Sequence, residues 1–361
     1  MGRCMKMVKT IFIVGEKGKT VLIYGLLKKF LNEGMKVGYF KPISKARYRL
    51  PSMVYVDPDV LAIKQALNLE DKLEDMNPIT ITRNILEFKN SVDLLKKQVE
   101  EAYNRIASGR DIVLVESYPN LEVMTSIGLP APQLAKMFNA KTVFILNAKD
   151  RDVIDEMIDR IILHNCYFEH YGAKIDGVIV NNVPIYYSER VEDIIVPEIE
   201  KLGLKVYGVI RERVRLLAPT VNDVVEALNA EVLENKDKLN NIVEDIVVGA
   251  MAPAAALRWF RRAVNAAIVT GGDRTDLIMT ALETRPSVVI LTGGLYPDIG
   301  VLIKAREVGT PILLVPYDTY TTVEKLKEVQ SIVTPNSLKV KETDILETIE
   351  KEIKWRELVQ Q

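Results

Sequence analysis

Three features of this sequence combine residue type and spacing in a way that points to chemistry: a Gly-Lys-Thr turn, a lysine before a proline, and a carboxylate ending an apolar run. The run TIFIVG passes directly into GEKGKT, Gly15–Thr20, and then into an amphipathic stretch. Strand, glycine turn, Gly-Lys-Thr and helix are the parts of a phosphate-binding loop. Backbone amides and the positive helix end hold an anion, Lys19 reaches the outer phosphates of a nucleotide such as ATP, and the Thr20 hydroxyl ligates magnesium. The loop is short, because Gly15 and Gly18 enclose only Glu16 and Lys17 where the motif has a longer gap. Glu16 places a negative charge at the mouth, which Lys17 offsets in part. Two readings stay open: a loop that still accepts a triphosphate, and a retained fold whose nucleotide site has decayed.

These residues need a parallel sheet to bring them together. Short β-branched runs alternate with amphipathic stretches along nearly the whole chain, which predicts an α/β protein. Strands are expected near Thr10–Gly15, Lys36–Lys41, Asp111–Glu116, Lys141–Leu146, Gly177–Asn181 and Lys205–Ile210. Helices are expected near Thr20–Glu33, Ser91–Ser108, Asp150–Leu163 and Glu189–Leu202. In this arrangement Lys41 and Glu116 both end strands. Glu116 suits magnesium and equally suits capping the following turn; Lys41 is either a site lysine or a surface lysine before Pro42. Asp57-Pro58-Asp59 reads as a helix cap with Pro in the first turn, and its carboxylates are also candidates for a second magnesium ligand. Asn181 and Asn182 end a strand, where Asn is common.

A charged, asparagine-rich stretch at Glu234–Asn241 is the expected domain boundary, giving a first domain at 1–233, a second at 242–335 and a charged helix at 336–361. The second domain is predicted to have strands near Ala266–Thr270, Ser287–Thr292 and Pro311–Val315. Helices fall near Pro253–Ala263, Asp276–Thr284 and Ile299–Val308, with another after Thr319. The strands end in TGGDRTD, LTGGLYPD and VPYDTYTT. If they are parallel, all three loops lie at the carboxyl edge of one sheet, where open α/β sheets bind ligands. The ligand-binding candidates are Gly271, Gly272, Asp273, Arg274, Thr275, Gly293, Gly294, Asp318, Thr319, Thr321 and Thr322. Glycines admit close backbone approach, and Arg274 offers a fork for phosphate or carboxylate. The competing reading makes Asp273, Thr275, Asp298 and Thr319 helix caps. No nucleophile–base pair accompanies these loops, which favours binding over chemistry.

The segments VGYFKPIS (Val37–Ser44), DIVLVES (Asp111–Ser117) and VIVNNVP (Val178–Pro184), with the phosphate loop, resemble the dethiobiotin synthetase family of P-loop enzymes. That resemblance implies ATP on Gly15, Lys17, Gly18, Lys19 and Thr20, magnesium on Thr20 and Glu116, Lys41 as the catalytic lysine facing the substrate, and Asn181 reading adenine. The family's glycine-rich turn after the glutamate is here Ser117-Tyr118-Pro119-Asn120. GGDRTD followed by LTGG resembles the DRTGG domain. The order of the two parts, over about Thr10 to Pro335, resembles the amino-terminal, non-catalytic portion of long phosphotransacetylases and free-standing archaeal proteins of the same arrangement.

The resemblance implies a regulatory or ligand-sensing protein that binds a nucleotide or anionic metabolite, linked to acetyl-CoA and acetyl-phosphate metabolism. The alternative is an ATP- and magnesium-dependent synthetase of the dethiobiotin or cobyrinate amidase kind. A homodimer is expected by analogy with P-loop domains of this type, and a partner enzyme of acetyl-CoA metabolism is a weaker expectation.

Composition narrows the classes. The 361 residues carry 48 Lys+Arg against 49 Asp+Glu, a balance that argues against a nucleic-acid partner. The apolar runs are strand-length, so no membrane partner is expected, and MGRCMKMVK has no signal-peptide core; a cytoplasmic protein is expected. Cys4, Cys166, His164 and His170 are too few for a disulfide framework or a zinc site.

Overall fold

The computed structural model describes residues 8–45, 48–49, 55–82, 84–148, 156–329 and 333–360. Cys4, and Asp150 where a helix start is expected, lie outside them. The chain forms two compact units, one of residues 1–212 with 342–361, the other of 213–341.

In the first unit the chain forms β1 Lys9–Gly15, β2 Val37–Phe40, β3 Ile43–Lys45, β4 Tyr48–Arg49, β5 Tyr55–Val56, β6 Ile79–Ile81, β7 Ile112–Glu116, β8 Lys141–Asn147, β9 Gly177–Val183 and β10 Lys205–Arg211; the six longer strands fall on the expected runs, and the short strands β3 to β6 were not expected. Six of these make one sheet in the order β10-β9-β8-β1-β7-β2. Every pairing in it is parallel. The strands are buried along nearly their whole length, as a parallel sheet covered by helices requires. Helix α1, Lys19–Asn32, leaves the end of β1, and α2, Pro58–Leu67, begins behind Asp57. Asp57 accepts a hydrogen bond from the Asp59 amide and Pro58 occupies the first turn, so the cap read from the sequence is present.

The charged tail packs on this same unit. Helix Glu342–Glu352 lies along α1: Tyr24 donates its hydroxyl to Glu342, Lys28 pairs with Glu342 at 3.1 Å, and Lys29 pairs with Glu350 at 2.9 Å. Ile345, Ile349, Trp355 and Leu358 are buried, with Trp355 against Phe30. The sequence left open a surface or a partner chain as the place of this helix. Its apolar positions, three to four residues apart, instead cover the first unit's own sheet edge and α1.

The second unit adds strands β11 Glu231–Glu234, β12 Asp245–Val248, β13 Ala266–Gly271, β14 Val288–Thr292 and β15 Ile312–Leu314 in the order β11-β15-β14-β13-β12. The four strands from β12 to β15 are parallel, and β11 pairs antiparallel with β15. The asparagine-rich stretch 234–241 therefore lies inside this unit, joining β11 to β12. Helices cover both faces: Phe260, Leu277, Leu282 and Val301 pack on Ile268 and Val289, while Val224, Leu228 and Leu326 pack on Val269 and Ile290. Neighbouring strand residues serve opposite faces, as the two-residue strand period dictates.

Lys341 is buried in this unit and donates to the Leu216 carbonyl at 3.1 Å. Burial, against the nearby Asp223, lowers its ammonium from 10.5 to about 8. The unfolded chain therefore holds more protons than the folded one between these two values, so this group's contribution to stability rises with pH across that window. Lys341→Met should be more stable than the parent at neutral pH, by on the order of 1–3 kcal/mol, with the advantage shrinking above about pH 9. Urea unfolding of both proteins over a pH series checks this.

Candidate functional site

In the first unit, β1, β2 and β7 end side by side and deliver the residues singled out in the sequence to one buried cluster. Gly15 closes β1, and Gly18, with φ of +101°, begins α1 in a conformation that suits glycine. A Cβ on Gly18 would lie 2.2 Å from Asn181 Nδ2, so the loop is closed down on that asparagine. Asn181 donates to the Lys17 carbonyl at 3.3 Å and braces the loop from β9. The Glu16 carboxylate turns away, accepting from the Asn147 amide at 2.9 Å and pairing with Arg160. Arg160, rather than Lys17, thus neutralises the charge expected at the mouth.

Lys19 is 5% exposed and donates to the carbonyls of Gly15 at 2.6 Å and Glu16 at 2.9 Å. Burial lowers its ammonium to about 8, with Glu116 opposing and Lys41 reinforcing the shift. At the second position of α1, Thr20 donates to Glu116 Oε1 at 3.0 Å, and Tyr39 donates to Glu116 Oε2 at 2.8 Å. Lys41 is held at the centre, 3.1 Å from Asp57, 2.8 Å from Asp59 and 3.2 Å from Glu116. Its backbone is fixed by Lys41 N–H to Met76 O at 2.8 Å and Asn77 Nδ2–H to Lys41 O at 2.7 Å. Burial alone would pull the Lys41 ammonium down, but Glu116, Asp59 and Asp57 together push it above its ordinary value. Burial raises Asp57 to about 6, against the pull of Lys41.

Glu116, Lys41 and Thr20 thus meet, and the Asp57–Asp59 pair serves as cap and as counter-charge at once. Tyr39 and Arg160 were not singled out in advance. Tyr39 had a signal, since it stands two residues from Lys41 on one strand face; Arg160 had none, because its pairing with Glu16 spans distant sequence. Among the described residues no group of three or more His, Cys, Asp or Glu side chains is arranged to hold a metal ion. Thr20 and Glu116 are hard oxygen donors, the kind magnesium takes when phosphate oxygens complete its shell.

In the second unit the parallel strands place all three glycine- and threonine-rich loops at one carboxyl edge. They are linked to one another. Gly293 N–H donates to Tyr317 O at 2.7 Å, Gly294 N–H to Val315 O at 2.9 Å, and Thr275 Oγ to Asp298 at 2.8 Å. Thr292 and Thr319 hydroxyls lie 3.1 Å apart. Gly272 sits so close to the Leu295 carbonyl that a Cβ would be 1.8 Å from it. Asp318 caps its helix through the Thr321 amide and hydroxyl, at 2.8 and 2.9 Å, and Thr322 donates to the Asp318 carbonyl at 2.7 Å. The cap reading does not describe Asp298, whose side chain makes no cap bond and ties two loops together instead. Asp273, next to Gly271, is exposed, and Arg274 lays its fork on Asp276, with both bonds at 3.1 Å. An anion reaching Arg274 would have to share it with that carboxylate.

The AAA domain profile matches residues 9–220 and the DRTGG domain profile residues 223–329. Among curated proteins, phosphate acetyltransferases are similar. That of Synechocystis sp. is 24% identical over 331 residues, covering 88% of this chain and 46% of the relative. That of Nitratidesulfovibrio vulgaris is 26% identical over 350 residues, covering 89% and 47%. The chain spans about half the length of the curated relatives it matches. Among solved structures, the CBS and DRTGG domains of the regulatory region of Clostridium perfringens pyrophosphatase, complexed with the activator diadenosine tetraphosphate, align with 34% of this chain and 50% of that one. The identity there is 22% and the TM-score 0.29. A GTPase in apo form from Pyrococcus abyssi aligns with 51% of this chain and 71% of that one, at 16% identity and a TM-score of 0.33. Likenesses this slight carry no ligand across.

Proposed function

The chain belongs to the AAA domain family through residues 9–220, with a DRTGG domain behind them, and on that premise we propose that it is a regulatory, ligand-sensing protein whose first unit binds the phosphates of a nucleotide. The observation that carries this reading is the buried cluster of Lys19, Thr20, Lys41 and Glu116 at the carboxyl edge of the first sheet. Lys19 rests on two loop carbonyls that phosphate oxygens would replace. Restored contact with an anion offsets the desolvation that now depresses its charge. ATP is the nucleotide the loop resembles most, and magnesium would be held by Thr20 and Glu116 together with phosphate oxygens, which it would neutralise.

Sensing rather than turnover is favoured because Lys41 is a fixed cation, tied to three carboxylates and unable to release a proton near neutral pH. The second unit's linked loops would take a small anionic ligand, and the phosphate acetyltransferase relatives support a link to acetyl-phosphate chemistry, directly or through a partner enzyme. Calorimetric titration with Mg·ATP tests the reading. Binding is expected, and Lys19→Ala should weaken it by about 1.5–3 kcal/mol, the usual worth of a charged hydrogen bond. Absence of heat with the parent protein would leave the first unit a scaffold.

A second reading, an ATP- and magnesium-dependent synthetase, draws on one observation: besides Lys19 of the phosphate loop, a second buried lysine, Lys41, lies 3.2 Å from Glu116, where an acceptor carboxylate would face it. Phosphoryl transfer needs positioning and charge neutralisation more than a nucleophile. Phosphate release that requires an acid acceptor and disappears in Lys19→Ala would favour it over sensing.

A further inference from the structure

The amino edge of the six-stranded sheet, opposite the phosphate loop, holds a cleft of about 550 Å³. It lies between the end of helix Ala131–Met137, the first residues of β8 and the turn that leads into β9. Ala140 and Ala173 leave room in it, and Lys136, Lys141, Lys174 and Asp176 supply the charge. Three ammonium groups against one carboxylate make the cleft positive.

The most deeply buried residue of its lining is Thr142, 1% exposed. Among the described residues the Thr142 hydroxyl is the only buried side-chain nitrogen or oxygen without a hydrogen-bond partner. A buried hydroxyl in that state is a cost to the fold unless something outside the chain meets it. Its backbone is pinned: the Thr142 amide donates to Asp176 Oδ2 at 2.8 Å, and the Asp176 amide donates to the Thr142 carbonyl at 2.8 Å. The other Asp176 oxygen pairs with Lys174 at 3.0 Å, so this carboxylate already has its partners. Lys141 is committed as well, donating to the carbonyls of Glu357, Leu358 and Gln360. Lys136 is not. Its Nζ is 3.5 Å from where a Cβ on Gly172 would stand, and among the described residues it has no ion pair or hydrogen bond.

An unpaired ammonium and an unpaired hydroxyl in one cleft are the donors that an oxyanion takes, and the positive surplus disfavours a metal ion or an amine. We propose that this cleft binds a small oxyanion, the phosphate or carboxylate group of a metabolite, with the Thr142 hydroxyl and the Lys136 ammonium as its donors. Exposed Lys174 adds to the field that attracts it. The cleft lies at the opposite edge of the sheet from the phosphate loop, so this second site stands whether or not that loop holds nucleotide.

Nuclear magnetic resonance of isotope-labelled alanine methyls in the full chain tests it, with inorganic phosphate and, separately, succinate titrated at constant ionic strength. The Ala140 and Ala173 signals should move together and saturate with one dissociation constant, in the range of about 0.1–10 mM. Lys136→Ala and Thr142→Val should each weaken that binding by about tenfold or more, whereas Lys19→Ala should leave it unchanged. Valine keeps the shape of Thr142, and an alanine spectrum otherwise like the parent's shows that the variant folds. Lys136 is exposed, so its substitution gives the same test without touching the core. Saturation by one anion and not the other supports the site and identifies the group it takes. Absence of saturable movement with both anions would overturn the proposal. Binding indifferent to Thr142→Val would also overturn it, since water then meets the hydroxyl and the lysines attract anions only diffusely. So would binding lost in Lys19→Ala, which would belong to the phosphate loop.

Discussion

Lys41→Met should destabilise the first unit by about 3–5 kcal/mol, the usual cost of removing one partner from a buried ionic cluster. Methionine fills nearly the same volume, so the loss is electrostatic rather than a cavity. Lys41 is 2% exposed, and without it Asp57, Asp59 and Glu116 would lose the cation that pairs with all three of them. The loss should depend on pH with a definite sign. Asp57 is already raised to about 6 in the presence of Lys41, and removing that cation raises it further. A carboxyl that holds its proton more tightly folded than unfolded adds stability below its unfolded value and loses that contribution as pH rises through its folded value. The deficit of the variant should therefore be largest above about pH 7 and shrink as the solution is acidified through about pH 6. Urea unfolding of parent and variant at several pH values measures this. Adding Asp59→Asn and Glu116→Gln should recover much of the loss, since an uncharged cluster needs no counter-ion. A deficit flat in pH and untouched by those changes would assign Lys41 to packing alone.

Gly208→Val should detach the carboxyl-terminal helix from the first unit. Gly208 lies in β10 and forms a bridge with Ile353. A Cβ there would stand 2.2 Å from the Glu352 carbonyl and 2.7 Å from Ile353 Cδ1, and a backbone oxygen cannot step aside as a side chain can. Overpacking of this kind costs about 1–3 kcal/mol, and here the strain has an escape in release of the segment. Trp355 reports it: its ring is 6.3 Å from that of Phe30 and it is buried, while the chain's other tryptophan, Trp259, is already exposed. Tryptophan emission should shift to the red in the variant with the six-stranded sheet still folded. An unshifted emission with unchanged stability would mean that the helix can seat without the Gly208 approach.

The extent to which this molecule is readable from sequence differs between its local and its distant features. The strand runs of the first sheet were legible because each is a short β-branched segment buried on both faces, bounded by glycine or polar residues. The cap at Asp57 was legible for the same reason, since aspartate, proline and an acidic first turn act within one helical turn. The strands β11 and β12 were not legible: EVLE and DIVV are four residues each, and as outer strands they carry charged ends that read as linker. Nor was the destination of the tail. Its helix could be seen from its periodicity, but periodicity says only that a face is covered, not by what.

The candidate site divides in the same way. Lys19, Thr20, Lys41 and Glu116 could be chosen one by one, because phosphate loops and strand-end carboxylates have recognisable spacing. Their meeting could be anticipated only through a resemblance. By itself the sequence determined the α/β class, the glycine turn ahead of α1 and the placing of polar loops after the second unit's strands, all of which follow from interactions within a few residues. Tertiary structure decided that Lys41 is enclosed by three carboxylates, that Glu16 faces Arg160 instead of the loop mouth, and that Arg274 is already occupied by Asp276. Ion pairs and burial depend on distances between segments far apart in the chain or on side-chain direction within a loop, and neither quantity is written in residue order.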